Sequence, residues 1–140
     1  MKVTGFNSRE YKIPLHKYVV KNNDKRPRSK PHLTAREILN DFYKNYWVLE
    51  EVKLPGSRNK ALKSALFLDF FVPHVRLGVE VHGRQHYEYS QFFHKSSAGF
   101  KESLRRDKLK QDWCDLNEIY LIVFKYSDDV ETWRSQIEQF

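Results

Sequence analysis

The sequence predicts an α/β fold, a mixed four-stranded sheet flanked by helices and preceded by a basic N-terminal arm. Three observations predict it. Apolar runs at 65–72, 76–83 and 119–124 have the length and the β-branched or aromatic content of strands. The stretches 34–43 and 100–116 carry apolar residues at helical spacing instead. The resulting order, helix, three strands, helix, strand, helix, suits helices packed on a mixed sheet. At 140 residues the chain fits one domain, here 33–140, behind an arm at 1–32.

Each element has its own signal. Thr34 followed three residues later by Glu37 reads as a capping box, and Leu39, Phe42, Tyr43 and Tyr46 continue an apolar stripe from it. The run Tyr46 to Leu54 reads as a strand stopped by Pro55, Gly56 and Ser57. Ala65 to Val72, ended by Pro73 and His74, and Arg76 to Gly83 form an antiparallel hairpin with Asp69 and Glu80 at one end. A long loop or short helix follows, in which Tyr87, Tyr89, Phe92 and Phe93 either meet a partner or cover the sheet edge. From Phe100 to Leu116 the period assigns Leu104, Leu109, Trp113 and Leu116 to an inner face, leaving Arg105, Arg106, Lys108 and Lys110 mostly outside. Ile119 to Phe124 is continuous enough for a strand buried on both faces, and a last helix starts near Asp128.

Composition narrows the function classes. Hydrophobic residues reach 40% and aromatic residues 15%, so the chain can build a core. No apolar run approaches the roughly 18 to 20 residues that span a bilayer, and the N-terminus has no apolar secretory core, so an intracellular, cytoplasmic protein without a membrane partner is expected. The one cysteine, Cys114, has no internal partner for a disulfide. The net charge of +7 is lopsided. Residues 1–32 hold nine lysines and arginines against Glu10 and Asp24, while the remainder balances 16 basic with 16 acidic residues. A basic arm beside a neutral domain suits a polyanion, with Lys25, Arg26 and Arg28 as phosphate contacts, joined by Arg58 and Lys60 in the basic turn and by Arg84. Pro14, Pro27 and Pro31 argue against a long membrane-surface helix.

The chemistry centres on Asp69 and Glu80. A carboxylate in an apolar strand has to be paired, neutralised or bound to a metal, and two at one hairpin end repel each other unless a cation lies between them. A hard divalent ion, Mg2+ or Mn2+, takes such oxygen ligands and suits phosphodiester hydrolysis. The competing reading pairs the two with Arg36, Arg76 or Arg106.

These residues resemble the PD-(D/E)XK nuclease superfamily, in its very-short-patch-repair-like endonuclease branch. The matching stretches are Leu68-Asp69-Phe70, Val79-Glu80-Val81-His82-Gly83-Arg84-Gln85-His86-Tyr87, Arg105-Arg106-Asp107-Lys108-Leu109 and Ile122-Val123-Phe124. The resemblance implies a restriction-endonuclease-like core and a metal-dependent DNA endonuclease. It further implies that Asp69 and Glu80, with the Val81 carbonyl, hold the metal, and that Glu37 approaches it through a water unless it only caps its helix. His82 and His86 would face the scissile phosphate as acid, base or charge stabiliser, with Gln85 and Arg106 contacting phosphate or water and Asp107 anchoring the helix. The superfamily's lysine two residues after the glutamate is here His82. The four-residue spacing of His82 and His86 also suits two zinc ligands on a helix, but Gly83 and the preceding strand argue against a helix there. Two neighbouring readings share the fold: a junction-resolving nuclease, which would be a homodimer, and a catalytically inactive DNA-binding module. An RNA-binding protein would need an aromatic sheet motif or a glycine-rich clamp, and neither is visible.

Overall fold

The computed structural model describes residues 1–21, 24–58, 64–89, 94 and 96–140. Four strands, β3 (Leu49–Lys53), β4 (Phe67–Val72), β5 (Leu77–His82) and β6 (Tyr120–Lys125), form one sheet in the order β3-β4-β5-β6. The first two pairings are antiparallel and β5-β6 is parallel, so the sheet is mixed as expected. The parallel step needs a crossover, which α2 (Ser97–Leu116) supplies. One face is covered by α1 (Lys30–Phe42) and α3 (Val130–Glu138), which bury Ala35, Ile38, Leu39, Trp133 and Ile137 against Phe70, Val72, Leu77, Val79, Ile122 and Phe124. The other face meets α2 through Trp113 and Cys114.

The N-terminal segment is not a detached arm. A hairpin of β1 (Lys2–Thr4) and β2 (Glu10–Lys12) docks on the α2 face, burying Val3 and Ile13 with Leu49, Leu54 and Trp113. Asn117 clamps it from both sides: its Oδ1 accepts from the Thr4 N–H at 2.7 Å and its Nδ2 donates to the Thr4 carbonyl at 2.9 Å. Gly56, at φ 69°, is required here, because a Cβ on it would lie 2.5 Å from the Gly5 Cα. The 32/33 boundary also falls inside a helix. α1 begins at Lys30, capped by Ser29, whose Oγ accepts from the His32 N–H, with Pro31 in the first turn. The Thr34–Glu37 capping box is therefore unused, and the Thr34 hydroxyl donates to the Lys30 carbonyl instead.

Other boundaries shift for local reasons. Tyr46 and Trp47 lie outside β3 and are exposed, Tyr46 stacking on His74. β6 is an edge strand: Ile122 and Phe124 are buried on the α1 and α3 side, whereas Leu121 and Val123 are only half-buried, so its apolar run is not sealed on both faces. The inner face of α2 is only in part the expected one. Trp113 is buried with Leu109 packed against the same core, joined by Cys114, whereas Leu104 and Leu116 are exposed. Among the described residues no helix is long and apolar enough to cross a membrane.

A buried acid ties α1 to the sheet. Glu51, at φ 51°, breaks the alternation of β3, so Leu49 and Val52 both join the α2-side core while Glu50 between them reaches α1. Glu50 is 5% exposed. Its Oε1 lies 2.6 Å from His32 Nε2, and Arg36 donates to Oε2 at 2.7 Å and to Oε1 at 2.9 Å. Burial works to raise the Glu50 carboxyl, but the hydrogen bonds of His32 and Arg36 win and hold it below its ordinary value. Stability from this group is therefore complete above its ordinary pKa and is lost as the pH falls through the depressed one. Glu50→Gln should destabilise the protein by about 3 kcal/mol at neutral pH, the lower end for a broken buried pair because Arg36 still touches water. The difference from the parent in urea unfolding should shrink as the pH falls from the ordinary 4.5 through the depressed value; a difference constant across pH would refute the charge assignment.

Candidate active site

β4 and β5 part company at their two acids, and that fork builds the site. Their backbone pairing runs from Val72 and Leu77 to Phe70 and Val79. The next step would set Asp69 against Glu80, and side chains replace the ladder there. The Asp69 N–H donates to Glu80 Oε2 at 2.8 Å, and the Val81 N–H donates to Asp69 Oδ2 at 2.8 Å. Each carboxylate thus satisfies a backbone donor that the separating strands would otherwise bury unpaired. Asp69 Oδ1 accepts no hydrogen bond among the described residues.

Two negative charges held this close need a counter-charge. It comes from Lys110 on α2, whose ammonium pairs with Glu80 Oε1; none of Arg36, Arg76 and Arg106 fills that place. Lys110 is 17% exposed and Glu80 2%. Burial pushes the Glu80 carboxyl up to about 7, the charge of Asp69 adding to the rise and Lys110 opposing it. Sequence periodicity assigned Lys110 to solvent. The signal that would have found it is the stripe Asp107, Lys110, Cys114 and Asn117, spaced by three, four and three residues on one side of α2. That face is polar where it meets the site and apolar where it meets the core.

The second cluster lies one step further along β5. His82 follows Glu80 by two residues and shares its side of the strand. His86 sits in a short 3-10 turn, Arg84–His86, and its ring stacks on that of His82 with centroids 4.0 Å apart and planes 7° from parallel. No α-helix is needed to bring them together. Asp107, one turn before Lys110, does more than anchor the helix: its Oδ2 lies 2.9 Å from His86 Nδ1 and its Oδ1 3.9 Å from His82 Nε2. On the far side His82 Nδ1 meets the Tyr87 hydroxyl at 3.2 Å. Burial, helped by the neighbouring His86, pushes the His82 imidazole down to about 4, so it is neutral at physiological pH.

The remaining expected residues distribute differently. Glu37 is exposed on the side of α1 away from its buried stripe, so it neither caps the helix nor reaches the acids. Arg26 and Arg28 are engaged internally: Arg26 binds Asp24, and Arg28 donates to Glu51 at 2.6 Å. Lys25 is exposed; Lys60, Phe92 and Phe93 lie outside the described residues. Arg84 pairs with Glu88, Gln85 lines a cavity with His82, Tyr126 and Trp133, and Arg106 is half-buried with no ion-pair partner among the described residues. Arg58 is exposed and lines a groove with Lys12, Lys17 and Lys53, between Tyr11 and Tyr18.

The raised Glu80 has a cost for stability. A folded pKa above the ordinary 4.5 means that the contribution of protonated Glu80 is complete below that value and is lost as the pH rises through about 7. Glu80→Gln keeps the shape and removes the titration. In chelator-containing buffer its melting temperature should pull ahead of the parent's by a few degrees between about pH 5 and pH 8. An unchanged gap over that range would mean that Glu80 does not titrate there.

No family model matches the chain, and no solved structure does. Relatives are found among viral proteins. The chain is 35% identical over 83 residues to Uncharacterized protein 307L of Invertebrate iridescent virus 6, covering 59% of this chain and 42% of the relative. It is 37% identical over 70 residues to Uncharacterized protein 033L of Invertebrate iridescent virus 3, covering 50% and 36%. It is 36% identical over 87 residues to Uncharacterized protein 094L of Frog virus 3 (isolate Goorha), covering 59% and 54%. The matches thus take in about half or less of each of these curated relatives.

Proposed function

We propose that the chain is a divalent-metal-dependent DNA endonuclease of the PD-(D/E)XK type. The observation that carries the reading is the fork at Asp69 and Glu80 with Lys110 set against it. Lys110 brings to the glutamate the positive charge that the superfamily places two residues beyond it, where this chain has His82. The donor set suits a hard cation, since it is all oxygen and Asp69 Oδ1 is uncommitted among the described residues. Bound there, Mg2+ or Mn2+ would supply positive charge for a scissile phosphate and acidify an attacking water.

The other residues divide the remaining work. Asp69 and Glu80 would hold the cation, and Lys110 opposes the rise of the Glu80 carboxyl and adds charge near the phosphate. His86, oriented through Nδ1 by Asp107, keeps Nε2 for proton exchange with the attacking water or the leaving oxygen. His82, neutral and hydrogen-bonded to Tyr87, positions that ring by stacking on it. DNA phosphates are taken by the groove of Lys12, Lys17, Lys53 and Arg58, whose tyrosines offer stacking faces to bases. Arg26 and Arg28 are occupied by acids and do not join them.

Plasmid nicking with and without Mg2+ tests the activity. Asp69→Asn and Glu80→Gln should each abolish metal-dependent cleavage and leave DNA binding intact; full activity in either variant under matched conditions sinks the site. His86→Ala should lower the single-turnover rate by about a hundred- to ten-thousand-fold and remove one limb of the pH–rate profile. A parental profile in that variant takes His86 out of the chemistry. Lys17→Gln with Arg58→Gln should weaken binding and flatten its salt dependence by roughly 0.9 in log-log slope for each phosphate that is no longer neutralised. An unaltered slope moves the DNA elsewhere.

A further inference from the structure

We propose that His82, His86 and Asp107 form a binding site for a borderline divalent transition ion, zinc being the representative, separate from the carboxylate pair. Three observations converge on it. One ligand atom from each residue lies within 4.8 Å of the other two. A tetrahedral zinc with bonds of about 2.0 to 2.1 Å holds its ligands roughly 3.3 Å apart, so closure takes shifts of about an ångström. His86 stands on a short turn and can make them, tilting out of its stack on His82.

The second observation is the partner behind His82. Its Nδ1 is committed to the Tyr87 hydroxyl, which leaves Nε2 directed towards Asp107. Metal-ligating histidines are held by such an outer hydrogen bond, which fixes the tautomer and the ring orientation. The third is donor chemistry. Two imidazole nitrogens and one carboxylate select zinc, cobalt or nickel over magnesium, whereas Asp69 and Glu80 offer only oxygen. Glu80 keeps its own partners, the Asp69 N–H and Lys110, and supplies no ligand to the histidine cluster. His86 and Asp107 are each about one-fifth exposed, which gives an ion a way in, and three protein ligands leave a fourth position for water.

A zinc ion here would take Asp107 and His86 as ligands in place of the orienting contact between them, and the test of this site does not depend on DNA cleavage. The full chain, stripped with chelator, is titrated with ZnCl2, CoCl2 and MgCl2, reading heat of binding, melting temperature and the visible ligand-field absorption of cobalt. Zinc should raise the melting temperature, and cobalt should develop a tetrahedral band that zinc displaces and magnesium does not. His86→Ala and Asp107→Asn should each weaken zinc at least tenfold, and Tyr87→Phe, which keeps all three ligands, should weaken it about ten- to a hundredfold. Asp69→Asn should bind zinc as the parent does. Circular dichroism confirms the fold of each variant, and His86→Ala, at a partly exposed position, decides if Asp107→Asn misfolds. Absence of zinc binding or of the cobalt band, parental affinity in folded His86→Ala, or loss of zinc in Asp69→Asn would each overturn the proposal.

Discussion

The candidate site depends on two backbone N–H groups that change partners. Where β4 and β5 separate, the donors of Asp69 and Val81 are taken by the carboxylates of Glu80 and Asp69. An acid buried in a strand is costly; an acid that replaces a missing ladder bond recovers part of that cost. The arrangement concentrates two negative charges at the fork, and the rest of the neighbourhood answers them. Lys110 neutralises Glu80 from α2, and burial together with Asp69 raises the Glu80 carboxyl towards neutrality.

α2 answers two demands along one face. Near its C-terminal end that face packs Trp113 and Cys114 into the core, with the Trp113 indole N–H donating to the Pro55 carbonyl at 2.9 Å. One and two turns earlier it presents Lys110 to the acids and Asp107 to the histidines. A helix whose inner face is half polar cannot be stabilised by burial alone at that end. Its grip comes from charge-assisted contacts, which bind it to the geometry of the fork. The opposite layer is held differently: α1 is bound to β3 through buried Glu50, with His32 and Arg36 satisfying both carboxylate oxygens.

Charge in the N-terminal segment is likewise less free than its composition suggests. Arg26 and Arg28 face Asp24 and Glu51, so much of their field closes within the protein. Two of the cations left open towards solvent, Lys12 and Lys17, come from the docked hairpin and the turn after it, and they meet Arg58 and Lys53 from the sheet side. A positive surface is built there from both parts of the chain, beside tyrosines that could not be assigned to it from composition.

Sequence by itself determined the fold class, the order of the sheet elements from 46 onward and the pairing of Asp69 with Glu80, because strand and helix periodicities are local and a short hairpin connection leaves little freedom of register. It also singled out His82 and His86. It did not determine the start of α1, since Ser29 with Pro31 and Thr34 with Glu37 are both valid starts, and the packing of the preceding hairpin decides between them. It missed Glu50, Asp107 and Lys110 as partners of buried groups, because a charged residue on an amphipathic element reads as solvent-facing until the opposing acid or imidazole is known. It left Glu37 open between a helix cap and a water-mediated approach to the metal, and only the rotation of α1 about its axis, set by Ala35, Ile38 and Leu39 against the sheet, turned that side chain to solvent. Which charges meet across 30 residues of chain, as Lys110 and Glu80 do, is a property of packed surfaces and not of local spacing.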